Sequence, residues 1–120
     1  MLRDLNTLSQ LMSVDPCLSL GGVLDAEVCQ CRDGTWKCHI LLYAGTTQSP
    51  AHLDRWELRS RDGLLLAYHD IPHGNESEAI QDSLDGIEIP DNVDQVMLRA
   101  HNRQQGYVGM PMALPLHRLN

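Results

Sequence analysis

No apolar run in this 120-residue chain approaches the roughly 20 residues that a helix needs to cross a bilayer. The first residues, MLRDLNTLSQLM, hold a charge pair where a secretory signal would need an unbroken apolar stretch, so the expected location is the cytoplasm. Lysine is nearly missing: Lys37 stands alone, and the other eight cations are arginine. Between Asp62 and Leu98 there is no Lys or Arg at all. The signatures of common catalysts are missing too, with no Gly-x-Ser-x-Gly elbow, no Gly-x-x-x-x-Gly-Lys phosphate loop, no dinucleotide fingerprint and no Cys-x-x-Cys redox pair. The sequence therefore names no catalytic residue and no cofactor, and the reading leans away from an enzyme.

A hydrophobic content of 42% and a charged content of 21% are ordinary for a soluble globular chain. Residues 1–120 are expected to form one domain, because domains most often run to roughly 100–150 residues. The net charge of −7 argues against nucleic acid or an anionic membrane as the main partner. That charge is unevenly spread. Nine of the sixteen acids fall in the cation-free window, and the rest of the chain, with nine bases and seven acids, stands at +2. The exclusion of nucleic acid is thus softer for the arginine-bearing part of the chain.

Leu2, Leu5, Leu8, Leu11 and Met12 recur at helical spacing and predict one short N-terminal helix ending near Asp15-Pro16. Three strand pairs follow. Residues 26–32 and 35–43 flank Asp33-Gly34, which suits a two-residue type I′ turn. Counting outward from that turn puts Cys29, Cys31, Trp36, Cys38, Ile40 and Leu42 on one face and Leu24, Ala26, Val28, Leu41 and Tyr43 on the other. With both faces apolar, the hairpin should be covered on two sides, by the helix and by a second sheet. Residues 56–61 and 64–69 repeat the pattern around Asp62-Gly63, with Trp56 and Leu58 on one face and Arg55, Glu57, Arg59 and Arg61 on the other. In the third pair, 95–101 and 107–110 are joined across 102–106, and Pro111 and Pro115 place the returning strand at an edge or end it early. Between the second and third pairs, Asn75 and Glu78 have capping-box spacing, which predicts a short helix through Gln81, and Ile87–Ile89 reads as a short strand. The fold class is mainly β: an antiparallel β-sandwich or bent sheet of six to seven strands with one short N-terminal helix.

Chemistry-bearing residues fall into three groups. Cys17, Cys29, Cys31 and Cys38 are the only cysteines, and the register sets Cys29 against Cys38 at a Cα separation of about 4.5 Å, the short end for a disulfide. Buried thiols, a cross-strand disulfide and a zinc site completed by Cys17 all remain open. His69, Asp70 and His73 are imidazole and carboxylate groups close in sequence, a candidate metal set with help from the acidic window, although His69 and Asp70 point to opposite faces of a strand. Asp82, Asp85, Asp91 and Asp94 form a candidate surface for a basic partner, and the Arg55, Arg59 and Arg61 stripe one for an anion or for the acidic surface of a neighbouring subunit.

The leading expectation is a small cytoplasmic binding protein, a regulator, inhibitor or assembly factor that contacts a protein partner or forms a homodimer. The alternatives are a metal-binding protein or metal-dependent enzyme using His69 and His73, and a small-molecule-binding sandwich with Trp36, Trp56 and Tyr107 around a pocket.

Overall fold

Alternation decides the architecture. In the strand from Leu53 to Ser60, Trp56 and Leu58 are wholly buried, as the spacing predicts. The computed structural model describes residues 21–46, 50–71 and 79–119. These hold seven strands: β1 (Gly22–Gln30), β2 (Trp36–Tyr43), β3 (Leu53–Ser60), β4 (Leu65–Asp70), β5 (Ala79–Ile87), β6 (Gln95–Asn102) and β7 (Gly106–Pro115). All pairings are antiparallel, in a three-stranded sheet ordered β1-β2-β5 and a four-stranded sheet ordered β4-β3-β6-β7. The expected mainly β, two-sheet architecture is thus present. The expected N-terminal helix lies outside the described residues, and among the described residues no helix is long and apolar enough to cross a membrane.

One core sits between the sheets. Trp36, Cys38, Ile40 and Leu42 enter it from β2, Trp56 and Leu58 from β3, and Val96, Leu98 and Ala100 from β6. Burying each large side chain there contributes about 1.5–3 kcal/mol. Pro111 and Pro115 lie in β7, which is indeed an edge strand.

Two expectations fail for identifiable reasons. The Asp-Gly turns are not type I′, which needs positive φ at both central residues; Gly34 (φ 92°) and Gly63 (φ 95°) have it, and Asp33 and Asp62 do not. Each loop instead has three residues. Gly34 N–H donates to the Cys31 carbonyl at 3.0 Å and Cys31 N–H to the Thr35 carbonyl at 2.7 Å; Gly63, Ser60 and Leu64 repeat the arrangement at 3.0 and 2.9 Å. Asp33 Oδ1 fastens the first loop by accepting from the Thr35 amide at 3.0 Å and hydroxyl at 2.7 Å. The extra residue slips the β1–β2 register by one, so Val28 opposes Cys38 and Cys29 opposes Lys37. A slip of one exchanges the faces of a strand. Ala26 and Val28 turn to the core and Cys29 to solvent, the reverse of the expectation.

The second failure is the acidic segment. Ala79–Ile87 is a nine-residue strand at the free edge of the smaller sheet, where a short helix was expected through Gln81, and Glu88 and Ile89 lie beyond its end. Ile80, Asp82 and Leu84 oppose Leu42, Ile40 and Cys38, so a carboxylate occupies the inward row. That one polar residue hides the alternation.

The sandwich closes along one side by backbone contact. Gly109 has φ 78°, and a Cβ there would lie 2.5 Å from the Gly21 carbonyl oxygen and 2.9 Å from Gly22 Cα. Gly34 also has positive φ but faces open space. Left-handed geometry alone costs an L-residue roughly 1–2 kcal/mol, and crowding against backbone adds roughly 1–3 kcal/mol. In urea denaturation, Gly34→Ala is expected to lose about 1 kcal/mol and Gly109→Ala more than about 3 kcal/mol; equal losses would refute the close β1–β7 approach.

Candidate functional site

Because Trp56 and Leu58 point inward, Arg55, Glu57 and Arg59 must point out from the four-stranded sheet. Register then chooses their neighbours. Glu57 lies between Tyr68 on β4 and Arg99 on β6, while Arg55 opposes His101, which in turn opposes Tyr107 on β7. Glu57 is 1% exposed although it stands on the outer face. Arg55 Nε donates to its Oε2 at 2.8 Å and Arg55 Nη2 lies 2.8 Å from the same oxygen. Arg59 Nε, at 2.8 Å, and the Tyr107 hydroxyl, at 2.7 Å, both donate to Oε1. Burial pushes the carboxyl up, but the hydrogen bonds from Tyr107, Arg59 and Arg55 more than reverse that and hold it down at about 2.

The rest of the face is built from cations and rings. Arg59 Nη1 also donates to the Gly63 carbonyl at 2.6 Å, which anchors the guanidinium to the turn. The Arg99 guanidinium stacks 4.2 Å from the centroid of Tyr107, Arg59 lies 5.9 Å from the same ring, and Arg55 lies 5.9 Å from Tyr68. His101 Nδ1 is 2.7 Å from Asp54 Oδ1, and its ring meets Tyr107 edge-on at 5.7 Å. Among the described residues, no carboxylate lies within ion-pair distance of Arg99. Three guanidinium groups thus surround one buried carboxylate. Asp54 beside His101 and Asp70 beside Arg55 balance the face as a whole, so the positive excess is local to Arg99.

A second cluster joins the two sheets on the side where β4 and β5 share no ladder. Trp56 Nε1 donates to Asp82 Oδ2 at 2.9 Å, His69 Nδ1 meets the same oxygen at 2.6 Å, and the Ser83 amide donates to Oδ1 at 2.9 Å. Burial raises the Asp82 carboxyl, and hydrogen bonds from Trp56 and His69 lower it below its ordinary value. The charged carboxylate is therefore the form that holds this seam.

No protein-family model, curated protein or solved structure matches this chain.

The expected sites disperse. Of the candidate metal set, His69 commits Nδ1 to Asp82, Asp70 lies on the opposite face beside Arg55, and His73 is outside the described residues. Among the described residues, no group of three His, Cys, Asp or Glu converges as a metal site. Cations from elsewhere reach the candidate acidic surface, whose Asp85 and Asp94 stay largely exposed. Lys37 Nζ lies 3.7 Å from Asp85, Arg61 Nη2 lies 3.3 Å from Asp94, and Asp82 is held in the seam, leaving Asp91 exposed in a turn. Arg61 accordingly leaves the stripe for Asp94 and Gln95, while Arg55 and Arg59 stay together.

Trp36 and Trp56 are in the core and Tyr107 is on the outer face, so the three share no pocket. Cys29, Cys31 and Cys38 are free, because the register turns Cys29 and Cys38 to opposite faces. Burial, with Asp82 and Cys29 nearby, pushes the Cys38 thiol up to about 12, which makes it a core group. Cys17 lies outside the described residues.

Arg99 was not among the residues expected from sequence, and Tyr107 was expected in a pocket with Trp36 and Trp56, not beside Glu57. Arg99 was legible, since Val96, Leu98 and Ala100 alternate around it. Tyr107 was not, because it reaches Glu57 from 50 residues away.

A carboxyl lowered on folding stabilises the protein above its unfolded pKa, and the gain is lost as pH falls toward the folded value. For Glu57, moving from 4.5 to about 2, the loss amounts to about 3 kcal/mol. Unfolding free energy measured from pH 5 to pH 2 should fall by about 3 kcal/mol more in the wild type than in Glu57→Gln. Parallel curves would show that Glu57 is not held as a buried anion.

Proposed function

We propose that this chain is a non-catalytic binding protein, a regulator, inhibitor or assembly factor, that docks an acidic segment of a protein partner on the outer face of its four-stranded sheet. The observation that carries this reading is Arg99, a guanidinium held by a tyrosine ring with no carboxylate of its own among the described residues. Arg55 and Arg59 are fixed beside it by Glu57, so the face is organised before any partner arrives. Planar guanidinium groups suit carboxylates in bidentate geometry. Prior fixing of the side chains reduces the entropy lost on binding.

A protein is favoured over a nucleic acid because polyphosphate binding draws on many cations, and this chain stands at −7 with three arginines on the face. Free thiols at Cys29, Cys31 and Cys38 suit a reducing cytoplasm.

A Glu-rich peptide is the appropriate probe. One charge-assisted contact contributes roughly 1.5–3 kcal/mol, so Arg99→Ala should weaken its binding by about tenfold or more at low salt. Unchanged affinity, or an oligothymidine of equal charge binding more tightly than the peptide, would reject the reading.

A further inference from the structure

A two-sheet sandwich has four edge strands, each presenting unpaired backbone donors and acceptors to any strand that can reach them. Here they are β1 and β5 in one sheet and β4 and β7 in the other. Three of the four are blocked. The close approach of Gly22 and Gly109 shuts β1 against β7, and β7 also contains Pro111 and Pro115. β5 carries Asp82 and Asp85 and ends through Gly86 in a positive-φ kink.

β4 has none of these protections along most of its length. The run Leu64-Leu65-Leu66-Ala67-Tyr68 contains no charge and no proline. Leu64 is 58%, Leu65 42% and Tyr68 53% exposed, three of the seven large apolar side chains that face solvent among the described residues. Its one irregularity is a bulge in β4 itself: Leu58 and Arg59 oppose Ala67 and Leu65, so Leu66 is the extra residue. An uncharged, apolar open edge is a template for strand addition.

We propose that β4 pairs antiparallel with β4 of a second copy of this chain, joining two four-stranded sheets into one of eight strands across a two-fold axis. Charge selects a second copy over a foreign strand. An acidic strand laid along β4 would meet Asp70, and a basic one would meet Arg55 and Arg59. The strand's own antiparallel copy brings an uncharged run against an uncharged run. It also sends the two Asp70 carboxylates to opposite ends of the strand pair, up to roughly 20 Å apart at about 3.4 Å per residue. That exceeds the Debye length of about 8 Å at physiological salt, so they scarcely repel.

The two-fold axis stands perpendicular to the joined sheet, because antiparallel neighbours in one sheet keep their faces on the same side. Both arginine faces then lie on one side. The pairing itself requires no particular partner, so it stands or falls separately from the binding reading.

Sedimentation velocity on the full chain tests it. The wild type should be a dimer at micromolar concentration, and Leu65→Lys should raise the dimer dissociation constant by at least about 100-fold while keeping its β-sheet circular dichroism. Hydrogen exchange should show β4 amides protected in the dimer and released in the variant, with β3 and β6 unchanged. A wild type monomeric up to about 100 µM would overturn the proposal, as would a dimer that survives Leu65→Lys. Should Leu65→Lys lose its β-sheet spectrum, Leu64→Lys decides in the same assay.

Discussion

A carboxylate that is 1% exposed on the outer face of a sheet cannot stay there unpaired, since an isolated buried charge would cost several kcal/mol. Four donor groups meet that demand at Glu57, and each belongs to a side chain that would otherwise be free to move. Arg55 and Arg59 lose their rotamer freedom to the carboxylate, and Tyr107 is drawn in from β7, two strands away. Arg99 then has a ring to lie on. The face is therefore one assembly, and it depends on a single anion.

The opposite surface of the same strand does the corresponding work for the core. Trp56 is wholly buried, and its indole N–H must find an acceptor. Asp82 supplies one from the other sheet and is shared with His69. The seam between β4 and β5 is thus held by side chains in place of a ladder, which leaves the outer backbone of β4 without a strand partner among the described residues. Adjacent residues of β3 fix both the arginine face through Glu57 and the seam through Trp56. Disturbing either should be felt by the other through the backbone they share.

Much of this was legible in the sequence, and the failures have causes. Strict alternation at Trp56 and Leu58, and two prolines after Gly109, were enough to place β3 and to set β7 at an edge. An Asp-Gly pair marks a turn but not its length, because a two-residue and a three-residue loop both need glycine at the left-handed position. Parity did the rest: one added residue sent Cys29 outward and Val28 inward. β5 was hidden because Asp82 occupies an inward position, which the Trp56 indole, 26 residues away, and His69 make acceptable. The burial of Glu57 on the arginine face was hidden for a similar reason. Its cover comes from a tyrosine that no local pattern connects to it.

The charge layout changes meaning for the same reason. In sequence, the window from Asp62 to Leu98 holds acids and no Lys or Arg; in space, Lys37 and Arg61 reach into it. The arginine face has the converse history. Its cations lie in two separate stretches and become neighbours only through the pairing of β3 with β6. On a molecule at −7, such a patch attracts anions over about a Debye length, roughly 8 Å, while the remaining surface repels them. On the proposed binding reading, selection of an acidic partner would occur at contact, where guanidinium geometry counts, and not through long-range capture. A surface of that kind discriminates between acidic partners by the placement of their carboxylates, because total charge alone gives no advantage at a distance.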